Sequence, residues 1–384
     1  MPAPATPRRV LLLGAVWLVF VWVVALVAAR STPWLTGPAA SATALARRGT
    51  PLARWDSGWY VSIAESGYEA PPTRIGQQTN HAFFPLYPAL MRGVSRATGL
   101  DAARAGALVS AVALLGALVL FAAWTRRQFG EERVWPALLT FLAFPTSFFL
   151  ASVYSESLLV LLALAAVLSL ETDHDAAAAA AGLLTGLTRI SGLVLAPALF
   201  LVSWRRSREK GRPVPQALAR ASFVGASPLA GFGLFCLYFH ERFGDALLFV
   251  RAQHNWSGEA KTVFDGPRLI LEEIGRDLAT GHVFVKSPVR TMEGVFLLLF
   301  LFLAWRLAER RLWPEALYVF LTVAIVFTSG TLESGGRYVL PAFPAFAVLA
   351  GIAARPALFR ALLALSLLAQ AGYVWLYVHW LWVG

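Results

Sequence analysis

Apolar and polar positions along this chain fall into long blocks, without the two-residue alternation of strands. A run of about 20 apolar residues makes a helix of bilayer length. The first is Val10 to Ala29, and further runs lie at 102–124, 134–152, 155–170, 221–239, 293–307, 313–330, 339–353 and 358–380. The stretch 176–204 is too long for one helix and is interrupted by Thr188-Arg189-Ile190-Ser191-Gly192. Two short helices meeting at a polar break are expected there. Two long, mostly polar segments, 30–101 and 240–291, separate the blocks, and the first carries Pro71-Pro72, Pro85 and Pro88. It reads as a structured loop with short surface helices.

Composition turns these helices into membrane spans. The 384 residues are 58% hydrophobic and 14% charged, with mean hydropathy +0.61, more apolar side chain than a soluble fold can hide. The expected fold is an all-α polytopic membrane protein, a single integral domain over 1–384 with no repeat or detachable soluble part. Arg8 and Arg9 before the first run resemble a signal peptide, but the run is long enough to span and Ala28-Ala29-Arg30 is a poor cleavage site. An uncleaved first helix is expected. The one cysteine, Cys236, excludes an intrachain disulfide framework and a CxxC site.

The net charge of +11 changes the picture only through its placement, because the basic residues lie between apolar runs instead of on one polar face. Short loops rich in Lys and Arg stay cytoplasmic. Arg126, Arg127 and Arg133, the cluster Arg205 to Arg212, Arg306 to Arg311, and Arg355 with Arg360 all fall on the side of Arg8 and Arg9. If 176–204 crosses twice, about eleven spans follow, with a cytoplasmic N-terminus, an outer C-terminus and loops 30–101 and 240–291 outside. The expected location is the plasma membrane, multi-pass, with an extracytoplasmic site. Aromatics of the last span, Tyr373 to Trp382, fit an interfacial belt.

Six polar places stand out, all on the outer side in this topology. In Arg54-Trp55-Asp56-Ser57-Gly58-Trp59-Tyr60, Asp56 is either a general base beside an acceptor hydroxyl or the cap of a surface helix, with Glu65 and Glu69 as alternative carboxylates. His81 opens the aromatic turn His81 to Pro88, where an imidazole either binds phosphate or sugar or is structural. The stretch Pro145 to Ser157 gathers Tyr154, Ser155 and Glu156; a carboxylate placed deep in a bilayer costs roughly 2.5–3.5 kcal/mol, which points to a cavity. Arg189, in the helix break, needs a neutralising partner, either Glu156 or a lipid phosphate. Gln253 and His254 stand in the fifth place, Phe249 to Trp256. In the sixth, Glu333 to Tyr338, Arg337 either grips a phosphate or pairs with Glu333 one turn away.

Together these segments resemble the GPI mannosyltransferase II (PIG-V-type) family in its prokaryotic branch. The resemblance rests on Trp55-Asp56 with Ile63-Ala64 and Gly67-Tyr68, on His81 to Pro88, Pro145 to Ser157, Thr188 to Gly192, and Arg337-Tyr338. It implies a GT-C-type fold and a glycosyltransferase that takes a hexose, usually mannose, from a polyprenyl-phosphate donor to a lipid, glycan or protein acceptor. On that resemblance Asp56 is the base of an inverting displacement, and Arg337 and Arg189 hold the donor phosphate. Substrate is oriented by His81, Glu156, Ser155, Tyr154, Trp55, Gln253, His254 and Tyr338. The break reads Arg189-Ile190-Ser191-Gly192 where the eukaryotic pattern has Arg-Ser-Asn-Gly. No Gly-rich nucleotide motif or clear metal site is present, and no nucleic-acid partner is implied. An apolar groove between spans is expected to take the polyprenyl tail. The competing class is a lipid or glycolipid transporter or flippase, which also carries intramembrane charges and broken helices.

Overall fold

The computed structural model describes residues 4–31, 50–72, 77–254, 265–279, 288–328, 332–351 and 355–383, and among these every regular element is helical. The expected all-α membrane fold is what the chain forms. In chain order the helices are α1 (Pro7–Arg30), α2 (Ser57–Ser66), α3 (Leu86–Thr98), α4 (Ala102–Phe129), α5 (Val134–Ala143), α6 (Glu156–Glu171), α7 (Asp175–Gly186), α8 (Leu195–Glu209) and α9 (Val214–Gly225). They continue with α10 (Ser227–Phe243), α11 (Leu248–His254), α12 (Asp265–Ala279), α13 (Pro288–Glu309), α14 (Trp313–Phe327), α15 (Gly335–Tyr338), α16 (Phe343–Leu349) and α17 (Pro356–Val378). In the first long loop, α2 and α3 are the short helices expected there.

Among the described residues four helices are long and apolar enough to cross a bilayer: α1, α4, α13 from Val289, and α17. A fifth candidate is the pair α9 and α10, bent by 43° at Ala226, where Pro228 cannot supply a backbone N–H. Eleven continuous spans are therefore not what the described residues form, since several expected spans are shorter helices meeting at breaks. Helix α1 shows how the sequence sets its faces. Val10, Gly14, Trp17, Val21, Ala25 and Ala28 recur every three or four residues and are buried. Leu12, Val16, Val19, Val23 and Val27 between them stay exposed, as a lipid-facing side would.

The span expected at 134–152 ends early. Phe144 leaves helical geometry at ψ 137° because Pro145 follows it, and the chain continues as a tight turn over Ser147–Leu150. In an apolar setting the freed carbonyls need donors. Gln370 of α17 supplies them, its Nε2 donating to Leu142 O (3.0 Å) and Phe144 O (2.7 Å) while its Oε1 accepts from Trp17 Nε1 (3.1 Å). One buried amide thus ties α1, α17 and the α5 break together. The span expected at 339–353 is likewise divided by prolines, leaving α16 after a turn at Pro341. The aromatics of α17 are not all a belt: Tyr377 is fully buried and hydrogen-bonded inside.

The polar break in 176–204 lies where the sequence puts it, as a turn over Ile190–Val194 between α7 and α8. Thr185 Oγ1 donates to Gly182 O at 2.6 Å beside it. Helix α7 crosses α10 at backbone distance, because a Cβ on Gly186 would meet Pro228 O at 1.9 Å and one on Gly231 would meet Leu183 O at 2.0 Å. Only glycine permits that approach. Gly231→Ala should therefore lower stability by about 1–3 kcal/mol through overpacking. Thermal melting in detergent checks this, and an unchanged Tm would contradict the close crossing.

Candidate active site

The strip before α2 is threaded through the protein interior. Val153 N donates to Leu52 O (3.1 Å), Arg54 N donates to the Tyr377 hydroxyl (3.0 Å), and the Tyr154 and Tyr377 hydroxyls donate to Arg54 O (3.1 Å each). The buried Arg54 guanidinium donates to the carbonyls of Thr50, Ala53 and Val378. Trp55 follows in the left-handed region, φ 53°, with its ring against Trp382 and Trp380 at 4.9 and 5.8 Å. This turn presents Asp56 inward at the start of α2.

Asp56 occupies the N-cap position of α2, yet its side chain makes no capping hydrogen bond. Its Oδ2 accepts instead from Arg337 Nη1 at 2.7 Å. Arg337 Nε lies 3.7 Å from Glu156 Oε1, and the same Glu156 oxygen pairs with Arg189 Nη1. Four ionised groups from four distant places in the sequence thus alternate in sign, Asp56, Arg337, Glu156, Arg189. Glu156 is fully buried and Arg337 is 4% exposed, so each charge stands only because its neighbours oppose it. Burial alone would depress the Arg337 pKa; Asp56, with Tyr154 and Glu156 behind it, reverses this and holds it well above the usual value.

Aromatic faces enclose the guanidiniums. Tyr338 lies beneath both, 4.9 Å from Arg189 and 5.4 Å from Arg337, and Tyr154 and Phe149 stand 5.2 and 5.5 Å from Arg337. Ser155 shares a hydrogen bond with the Tyr60 hydroxyl (3.0 Å), and the second Glu156 oxygen, Oε2, is buried with no hydrogen-bond partner among the described residues. Arg337 is carried by α15, whose Gly336 carbonyl accepts from Thr146 Oγ1 (2.7 Å) and whose Gly336 N–H donates to Glu293.

The other expected substrate residues lie elsewhere. His81 is buried, its Nδ1 3.0 Å from Thr79 Oγ1 and its Nε2 3.1 Å from Glu69 O. A carbonyl can only accept, so Nε2 carries the proton and Nδ1 accepts from Thr79. Both nitrogens are thereby engaged, which leaves the expected sugar or phosphate contact no free position. Its ring packs against Tyr68, Phe239 and Phe243. Gln253 Nε2 donates to Ala82 O (3.1 Å), docking α11 on the same turn. The His254 side chain lies outside the described residues. A groove of about 330 Å³ opens at the far end of α2, lined by Ile63, Tyr68, Pro85, Arg92, Arg96 and Tyr238 among others, and shares no residue with the charged chain. Among the described residues no three His, Cys, Asp or Glu side chains are grouped to hold a metal ion.

A family model described as mannosyltransferase (PIG-V) matches residues 9–206. The chain belongs to that family. The matched stretch holds Asp56, His81, Tyr154, Ser155, Glu156 and Arg189, whereas Glu293, Arg337 and Tyr338 lie beyond it. No curated protein matches the sequence. The fold is similar to the crystal structure of ArnT from Cupriavidus metallidurans bound to undecaprenyl phosphate, at 18% identity and TM-score 0.48. The likeness covers 93% of this chain and 64% of that one.

Sequence reasoning on this PIG-V-type protein missed Glu293, and gave no role to Thr146, Tyr60 and Arg54 within the stretches it singled out. Glu293 opens the apolar run 293–307 just as Glu156 opens 155–170, so the same signal marks both. Two outcomes test the site's electrostatics. Glu156→Gln strands Arg189 and should cost about 3–5 kcal/mol in a melting experiment, with partial recovery in Glu156→Gln/Arg189→Gln. Burial lowers the His81 pKa below its ordinary 6.5, so its contribution to stability is present above 6.5 and is lost as pH falls through 6.5 toward the lowered value. The Tm of the natural protein should fall more steeply over that window than the Tm of His81→Phe.

Proposed function

We propose that this protein transfers a hexose, mannose by its family, from a polyprenyl-phosphate carrier to a hydroxyl of a lipid, glycan or protein acceptor on the extracytoplasmic face. The observation that carries this reading is the Asp56–Arg337 ion pair, a carboxylate and a guanidinium side by side at 2.7 Å in a buried aromatic setting. Family membership supplies the reaction class, and the pair supplies the two groups an inverting transfer needs. The acceptor oxygen attacks the anomeric carbon as the bond from that carbon to the phosphate oxygen breaks. Asp56 takes the acceptor proton, and the electron pair leaves on the carrier phosphate, where Arg337 and Arg189 oppose the developing charge.

The pairing also orders the two substrates. Asp56 and an incoming phosphate compete for Arg337, and a phosphate offers a guanidinium more charge and a bidentate seat. Donor binding therefore draws Arg337 away and frees the carboxylate to accept a proton. Glu156 keeps Arg189 in place and turns its unpartnered Oε2 toward a substrate hydroxyl. Tyr154, Ser155 and Trp55 shape this site through their packing, and His81 and Gln253 act by fixing the outer loop. The sidedness of the lysines and arginines supports the extracytoplasmic placement and the cytoplasmic N-terminus, and the single 1–384 integral domain remains the working organisation.

Purified protein given polyprenyl-phosphate mannose should release polyprenyl phosphate, by transfer or slow hydrolysis. Asp56→Asn, assayed below its own Tm, which falls because Arg337 loses the charge opposite it, should lower turnover by about 10²–10⁴-fold, the usual worth of a positioned base. Full turnover in Asp56→Asn overturns the base assignment. Equilibration of a labelled lipid across vesicles without donor consumption would establish a transporter instead.

A further inference from the structure

Glu293 sits in the first turns of α13, 1% exposed, and has no part in the transfer described so far. A carboxylate so deep in an apolar span is costly and is found mainly at functional positions. Its Oε2 accepts the backbone N–H of Gly336, while the Gly336 carbonyl accepts the Thr146 hydroxyl at 2.7 Å. The peptide units on both sides of Gly336 are thus held, one from α13 and one from the break after α5. Arg337 is the next residue.

Packing closes the same clamp. A Cβ on Gly336 would meet Phe296 Cδ2 and Thr146 Cγ2 at 2.8 Å and Glu293 Oε2 at 3.1 Å, so the backbone there cannot shift sideways. Ser334, just before, is in the left-handed region at φ 66°, turning the chain into α15. A four-residue helix has too little hydrogen-bonded length to fix its own orientation. Something outside α15 must decide where the Arg337 guanidinium points.

We infer that Glu293 is a positioning residue: through its hydrogen bond to the Gly336 amide it sets the guanidinium of Arg337 against Asp56 and, once the donor is bound, against the donor phosphate. The inference rests on the assignment of Arg337 to that phosphate. An acceptor oxygen is what the Gly336 amide requires, not a negative charge as such. Misplacement of a reacting or charge-stabilising group by about 1 Å can cost about 10²-fold in rate.

Three variants and one melting cycle test this. Glu293→Met removes the acceptor and should lower kcat/KM for the donor by about tenfold, the worth of one buried hydrogen bond, leaving the acceptor's KM unchanged. Glu293→Gln keeps an acceptor oxygen and should stay within about twofold of the natural protein. Thr146→Val should shift the donor parameters in the same direction as Glu293→Met. A Gln variant as poor as the Met variant, or an equal loss in acceptor KM, overturns the inference. The melting cycle needs no substrate: if Glu293 holds Arg337 against Asp56, the Tm losses of Glu293→Met and Asp56→Asn sum to more than the loss in the double variant. Strict additivity overturns the positioning role. If the natural protein transfers no sugar, the proposed function fails while the cycle still decides the role of Glu293.

Discussion

Four alternating charges in an apolar interior, Asp56, Arg337, Glu156 and Arg189, are the constraint on which the rest of this structure depends. None of them could be buried alone, because desolvating a single charge costs more than any packing around it returns. Each therefore requires the helix that carries the next. The start of α2, the start of α6, the break between α7 and α8, and the short helix α15 are fixed relative to one another by this requirement before any substrate is considered.

All four charges sit at interruptions or ends of helices, and the physical reason is general. A helix in an apolar medium satisfies its own backbone and presents only side chains, so polar backbone can turn inward only where the helix stops. Pro145 stops α5 and Gly192 marks the break after α7, where Thr185 comes too close for any side chain. The freed groups then find partners within the protein: Gln370 for the α5 carbonyls, Thr146 and Glu293 for Gly336. Interruption of the helices and assembly of the site are one event. The same logic threads residues 50–56 between Tyr154 and Tyr377, whose hydroxyls fix the Arg54 carbonyl two residues before the carboxylate.

Much of this was legible in the sequence because charge against an apolar background is conspicuous. Arg189 within 176–204 announced both the break and its own need for a partner, and Glu156, one of two candidates, proved to be that partner. Asp56 was legible as a carboxylate among aromatics, but cap and base could not be separated, since an N-cap position is read from local sequence while its side chain's partner lies 281 residues away. For His81 the structural and binding readings could not be separated either: its ring was conspicuous, yet Thr79 and the Glu69 carbonyl, its partners, are ordinary residues with no signal of their own. Glu293 was passed over because it sits at the edge of an apolar run, where a carboxylate looks like a helix cap.

By itself, the sequence determined the class of the protein, the approximate positions of its apolar helices, the polar break at 188–192 and the short list of residues able to do chemistry. These follow from composition and local pattern, which act along the chain. Only the tertiary structure decided which charges meet, that Asp56 faces Arg337 and not the end of its own helix, that His81 serves the loop, and that Glu293 stands behind Gly336. Those are long-range pairings, required because charges and backbone polar groups that leave water at a cost must meet partners from distant parts of the chain, which no local stretch of residues contains.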